Sequence, residues 1–441
     1  MNGKIGFLNI SHPDYINEMV TMQAQAAIDN ITAAGFDVVC FKESVIDFDS
    51  AVKAGKYIAS SDVAGVIVFL SSWVECDVLM AAVREVEHLP LCLQSFPMFL
   101  FRGSLESTGS YVSYAMIKGV FDRVGYSYKG VLGETESEEV RKQISDFCFA
   151  ASAASRLKRS RIGLVGYTSM SIYTGTFDHI FMRSKIGPEI KQIDSYTLIN
   201  LAESMGLKAK QKVIEEYQKV ARIHEEVSQE FLLKSAGIYL ALQELVKDDL
   251  DAINVKCQYE FSKEYKMVPC VPLSLLADKG VVASCEGDIL NTVSMLILYY
   301  LTGQTVTYGD CMNHIGNVVK LSSCGFLPFS LGEKGTQLIR NFMPHPGFTG
   351  IQSSFTMPPG QVTVMRLIED FCDYHILCFT GTGLKTELRQ GYMPAIDVML
   401  DGDVNELVKQ YSGQHYAICY GNCADKIEDL ARILKIKFVR I

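Results

Sequence analysis

The feature that most constrains this chain is a regular alternation in its first 160 residues. Short apolar runs that favour strands (KIGFLNI, DVVCF, VAGVIVFL, PLCLQSF) are separated by longer amphipathic stretches such as YINEMVTMQAQAAIDNITAAG and CDVLMAAVREVEHL. Apolar runs of four to eight residues between helical patterns are the mark of a parallel sheet covered on both faces. The first domain, 1–158, is therefore α/β. A second series opens at RIGLVGY (161–167), passes through a charged helical stretch and returns to strands at DAINVKC and GVVASC, which predicts a second α/β domain over 159–315. From about residue 316 the texture changes. Short strands (NVVKLSS, GQVTVMRLIED, YHILCFTGTGL, HYAICYG) alternate with Gly/Pro turns, so a β-rich, barrel-like domain with a terminal α/β tail is expected over 316–441. A chain of 441 residues exceeds what one hydrophobic core supports, consistent with such a division.

Composition excludes several functions. The net charge is −9 with no long basic run, so phosphate-backbone binding lacks its electrostatic footprint and nucleic acid is not an expected partner. No stretch reaches membrane-spanning length, and the N-terminus reads as a first strand rather than a leader. The thirteen cysteines are scattered without a C-x-x-C pair, and several lie inside apolar strands, as expected of free thiols in a reducing cytoplasm. No G-x-S-x-G elbow, P-loop or dinucleotide fingerprint is present.

The chemistry gathers where strands end. VVASCEGDIL (281–290) carries Glu286 and Asp288 past an apolar strand, and the strand at DAINVKC ends on Gln258, Tyr259 and Glu260. Ligands bind outside the carboxyl ends of parallel strands, so these two ends would deliver three carboxylates to one crevice. Acids so close raise one another's pKa unless a cation lies between them, and oxygen ligands with one imidazole suit manganese or magnesium. A plainer alternative is that Glu286 caps the following helix while Asp288 occupies its first turn. His415, at the start of the strand HYAICYG, is the candidate imidazole, against an ordinary turn or core role. His345 and His314 lie in polar loops. The loop GYTSMSIYTGTFD (166–178) is rich in hydroxyls, as a polyhydroxylated ligand would require.

Several stretches in shared order resemble the L-fucose/L-arabinose isomerase superfamily, in particular its shorter fucose-isomerase-like members. They are RIGLVGYTSMSIYTGTFD followed by IGPEI, VKCQYEFSKEY, ASCEGDILNTVSMLILYYLTG, VTYGD, and HPGFTGIQSSFTMPPGQVTVMRL. The resemblance covers nearly the whole chain. It implies two α/β domains and a barrel-like domain, assembled as trimers or hexamers with shared active sites. It also implies aldose–ketose interconversion with a divalent cation, typically Mn2+. Carried over by motif, the metal acids fall on Glu260 and within CEGD, on Asp288 in fucose-type or Glu286 in arabinose-type members, and the histidine falls on His415. Glu260 and Asp288 are the expected acid/base pair. Ser323, in SSCGFLP, stands where many members have a second histidine, so a one-histidine arrangement and a sugar other than arabinose are expected, a 6-deoxy or 6-sulfo hexose among them. Asp310, in TYGD, lies where arabinose-type members have a metal-binding acid, with a supporting place around the metal ligands as the alternative. Tyr173, Tyr259 and the lone tryptophan, Trp73, are candidate sugar contacts, with plain packing as the alternative for Trp73. The rival readings are a non-catalytic sugar sensor, because tandem α/β domains also serve that role, and a metal-dependent epimerase or lyase sharing the enediolate chemistry.

Overall fold

Helices flank the strands where the apolar runs predict them. The computed structural model describes residues 3–247 and 250–441. It divides into two compact units: the first runs to Arg156 and takes in Asp425–Lys435 near the C-terminus, and the second comprises Leu157–Ala424 and Ile436–Ile441.

The first unit is built on a parallel sheet whose strands lie in the order Asp37–Cys40, Lys4–Ile10, Val63–Leu70, Leu91–Ser95, Tyr128–Leu132. The central strand, VAGVIVFL, is buried along its whole length, which explains why it reads as a continuous apolar run rather than an alternating one. Its side chains still divide by the pleat. Val66, Val68 and Leu70 join the core under helices Phe48–Ala59 and Cys76–Val86, and Ile67 and Phe69 join the core under helices Glu18–Ala33 and Glu138–Leu157. The late helix Ala424–Leu434 adds Ile433 to the second of these cores and sets Lys426 over the Phe149 ring at 4.0 Å. Trp73 follows the central strand, partly buried, with its backbone N–H donating to the Thr108 carbonyl at 2.8 Å.

The second unit joins a parallel sheet to a barrel. Sheet order is Val282–Cys285, Ala252–Val255, Arg161–Val165, Glu189–Ile193. The six barrel strands are Gly360–Glu369, His415–Tyr420, Thr307–Ile315, Val318–Ser322, Ala395–Leu400 and Tyr374–Leu384, all antiparallel, and the last pairs with the first to close the ring. Closure removes the sheet edges that an open antiparallel sheet would expose. The final strand, Lys437–Arg440, adds in parallel to Tyr374–Leu384. Between sheet and barrel runs the helix Ile289–Thr302, with twelve of its fourteen residues buried. It packs on both layers, which is why its sequence is apolar on every face rather than along one stripe. Leu367, on a barrel strand, donates its N–H to Ser294 Oγ of this helix at 2.7 Å.

Close packing of the first unit makes one glycine decisive. A Cβ on Gly55 would lie 2.6 Å from the Ala82 carbonyl oxygen and 2.8 Å from Glu85 Cβ on the facing helix. Gly→Ala in a helix interior normally gains about 1 kcal/mol from propensity. Here the contact is with rigid backbone, so overpacking should win, and Gly55→Ala should lose about 1–3 kcal/mol in urea denaturation. A stabilised variant would show that the two helices separate freely.

Candidate active site

The turn after strand Val282–Cys285 is forced into unusual backbone. Glu286 has φ +69° and Gly287 φ +70°, and a Cβ on Gly287 would lie 2.3 Å from the Tyr167 carbonyl oxygen, so only glycine fits there. Buried Asn254, on the neighbouring strand, braces the turn: its Oδ1 accepts the Gly287 N–H at 2.7 Å, and its Nδ2 lies 2.9 Å from Thr292 Oγ1 and 3.1 Å from the Cys285 carbonyl. The Glu286 carbonyl accepts the N–H of Ser169 from the loop after strand Arg161–Val165. Met170 and Ser171 in that loop, and Tyr259 after strand Ala252–Val255, also have positive φ, at 48°, 55° and 66°. Four non-glycine residues in disfavoured conformations therefore sit on loops at the carboxyl ends of one parallel sheet, where ligand sites form.

Asp288 is the N-cap of helix Ile289–Thr302, its Oδ1 accepting the Asn291 N–H at 2.9 Å. Its Oδ2 faces His415 Nδ1 at 2.8 Å and Arg366 Nη1 at 3.0 Å, and all three side chains are fully buried. Arg366 also donates to the His415 carbonyl at 2.8 Å and to the Thr174 carbonyl at 2.6 Å. On the other side of the imidazole, His415 Nε2 has no hydrogen-bond partner among the described residues. It is faced by Glu286 Oε2 and Asp310 Oδ1, each 3.4 Å away. Asp310 reaches this point because the barrel register pairs it directly with His415.

The charges are strongly coupled. Burial alone would push the Asp288 carboxyl up, but Arg366 and then His415 outweigh it and bring it down to about 2. Burial also opposes ionisation of Glu286, and the His415 imidazole overcomes it, so the net direction is down. For Asp310 burial wins: the carboxyl is pushed up to about 6, with Glu286 and Asp288 adding to the rise and His415 opposing it. Burial would lower the His415 pKa, yet the surrounding carboxylates, Asp310 first, hold it well above the ordinary histidine value. Cys324 lies 3.8 Å from Glu286 Oε1 and 3.5 Å from His345 Nε2, and burial raises its thiol well above the usual range.

The structure thus brings Glu286, Asp288 and His415 together, with Asp310, and adds Arg366, Asn254, Cys324 and His345. Glu260 instead begins a short helical turn, Glu260–Glu264, and pairs with the buried Lys256 at 2.7 Å. Lys256 Nζ lies over the Tyr167 ring, 3.4 Å from its centroid. Tyr259 is exposed and meets Phe348 edge-on at 6.1 Å. Tyr173 is exposed at the rim of a cavity of about 300 Å³ shared with Thr176, Phe371 and Ser412. Ser323 is buried, its hydroxyl donating to the Phe326 carbonyl. Trp73 belongs to the first unit. Arg366 carries no local signal in the sequence: it sits in a strand whose neighbours on both sides are buried.

Among the described residues, no set of three or more His, Cys, Asp or Glu side chains stands as a ready cation cage. The cluster supplies a partial donor set in its place: one unpartnered, buried imidazole nitrogen and two carboxylate oxygens facing it. One nitrogen with hard oxygens fits manganese or magnesium by chemistry.

The second unit thus joins a parallel sheet to a closed barrel, with a buried acid–imidazole cluster at the strand ends. No protein-family model matches the chain. It is a distant homologue of sugar isomerases. It is 28% identical over 204 residues to the sulfoquinovose isomerases of Priestia aryabhattai and Priestia megaterium, covering 43% of this chain and 44% of each relative. It is 22% identical over 325 residues to the sulfoquinovose isomerase of Alkalicoccus urumqiensis, covering 72% of both chains. The match therefore spans less than half the length of the two Priestia relatives. Among solved structures, the arabinose-binding protein AraP of Geobacillus stearothermophilus aligns over 64% of this chain and 81% of its own at 11% identity, with a TM-score of 0.19, too low to carry an argument. None of the thirteen cysteines forms a disulfide, and among the described residues no helix is long and apolar enough to cross a membrane.

The raised Asp310 pKa has a consequence for stability. An acid whose folded pKa lies above its unfolded value contributes most at low pH, and that contribution is lost as pH rises from about 4 through about 6. With a chelator present, Asp310→Asn should therefore melt above the parent at pH 8, with the gap closing toward pH 4. A gap that is absent or reversed at pH 8 would contradict the assignment.

Proposed function

We propose that this protein is a metal-dependent aldose–ketose isomerase acting on a hexose or modified hexose by an enediolate route, with a 6-sulfo sugar such as sulfoquinovose the first candidate. The observation that carries the reading is the pair of carboxylates, Glu286 and Asp310, facing one unpartnered imidazole nitrogen at a sheet end with their pKa values pushed apart. The distant similarity to sulfoquinovose isomerases supports the reaction class and the sugar.

Aldose–ketose isomerisation moves a proton between C1 and C2 while the carbonyl shifts the other way, so the site needs one group that is a base and one that is an acid. Glu286, held down, is the ionised base, and Asp310, held up, is the acid that returns the proton to the neighbouring carbon. Asp288 already carries three hydrogen-bonding partners, so the proton work expected of it falls to Asp310. Glu260, with its partner Lys256, and the exposed rings of Tyr259 and Tyr173 serve to hold the sugar at the mouth. A divalent cation, Mn2+ first, would be held by Glu286, Asp310 and His415 Nε2, and when bound it would polarise the sugar oxygens and stabilise enediolate charge. Burial of the cluster excludes water, which strengthens these interactions.

The test is conversion. Purified protein with Mn2+ should interconvert sulfoquinovose and its ketose, chelation should stop it, and Glu286→Gln should lower turnover at least 10²-fold. Sugar binding without conversion under all these conditions would point to a sensor and overturn the reading.

A further inference from the structure

We propose that Asp288 and Arg366 are positioning residues: together they hold His415 in one ring orientation, with its proton on Nδ1, so that Nε2 faces Glu286 and Asp310. The proposal deepens the isomerase reading of the same site and rests on it only for its consequence in turnover.

The geometry leaves Asp288 little freedom to do anything else. Oδ1 caps the helix through the Asn291 N–H, and Oδ2 lies within hydrogen-bond distance of both His415 Nδ1 and Arg366 Nη1. A carboxylate on one imidazole nitrogen sets which nitrogen is left for a ligand or a proton. Arg366 locks the carboxylate in turn and reaches past it to the carbonyls of His415 and Thr174, so one planar guanidinium ties the helix start, a barrel strand and the loop after strand Arg161–Val165. Space for it is built in. Gly413 has φ +149°, and a Cβ there would lie 2.4 Å from Arg366 Nε, and a Cβ on Gly175 would lie 2.9 Å from Asp288 Cγ. The Tyr308 ring fixes the remaining face of the imidazole, edge-on at 5.2 Å. These three partners leave Asp288 only one of its roughly four lone-pair sites, on the helix-capping Oδ1, so a role as ligand is decided by the metal titration below.

Two readouts on the full chain test the proposal. The first needs no metal. In protein labelled with ¹⁵N-histidine, a slowly exchanging Nδ1–H resonance, assigned by its loss in His415→Gln, should be present in the parent and should vanish or move strongly in Asp288→Asn. It should also shift in Arg366→Lys, which keeps the charge and serves if Asp288→Asn does not fold. A resonance that stays in place in either folded variant overturns the proposal. The second readout uses Mn2+ alone, titrated by electron paramagnetic resonance. Asp288→Asn should weaken binding 10- to 100-fold, as loss of an outer partner of a metal-binding histidine does, while Glu286→Gln should abolish it. Loss in Asp288→Asn as complete as in Glu286→Gln would make Asp288 a ligand and overturn the positioning role. Should the parent bind no Mn2+, the metal-dependent reading fails and the histidine resonance alone decides this proposal.

Discussion

The second unit depends on one buried ion pair, Asp288 with Arg366. Both side chains are fully buried, and removing two charges from water costs several kcal/mol per ion unless every donor and acceptor is met. Here nearly all are, through the helix N-terminus, an imidazole and two backbone carbonyls. The pair sits where helix Ile289–Thr302 begins, and that helix is the layer shared by the parallel sheet and the barrel. The same contacts that dock barrel on sheet therefore also set the imidazole. Removing either partner would strand a buried charge, which is far more damaging than replacing both.

Around that pair, backbone strain and electrostatics act together. The left-handed Glu286–Gly287 turn brings Glu286 to the imidazole, and Asn254 braces it at Gly287, while the antiparallel register brings Asp310 to the same imidazole from the barrel. Two carboxylates sharing one cationic neighbour cannot ionise equally well in a buried site. They diverge accordingly, Glu286 held down and Asp310 pushed up. Such strain persists only where the surrounding structure over-determines it, as the hydrogen bonds across this turn do.

The architecture was legible because hydrophobic period is local. Continuous apolar strands such as VAGVIVFL signalled a sheet covered on both faces, and short alternating strands with Gly/Pro turns signalled the barrel. The CEGD turn stood out for the same reason: acids after an apolar strand are visible within ten residues. The rest depends on contacts distant in sequence. Arg366 meets Asp288 across 78 positions, in a strand whose residues 362–368 are all buried, so no alternation marks it as special. Tyr259 takes φ +66°, which turns the chain into a helical turn at Glu260 and pairs that carboxylate with Lys256, a change that no residue pattern around QYE announces. The helix Ala424–Leu434 likewise reads as part of a C-terminal tail, while its packing assigns it to the first unit.

The proposed reaction moves a proton between adjacent sugar carbons. The most direct measurement is NMR of a candidate substrate, sulfoquinovose first, incubated in D2O with the protein and Mn2+. Deuterium should enter at C2 of the aldose or C1 of the ketose together with ketose formation, and neither event should occur with Glu286→Gln. Ketose formation without any solvent exchange at those carbons, undiminished in that variant, would contradict that reaction.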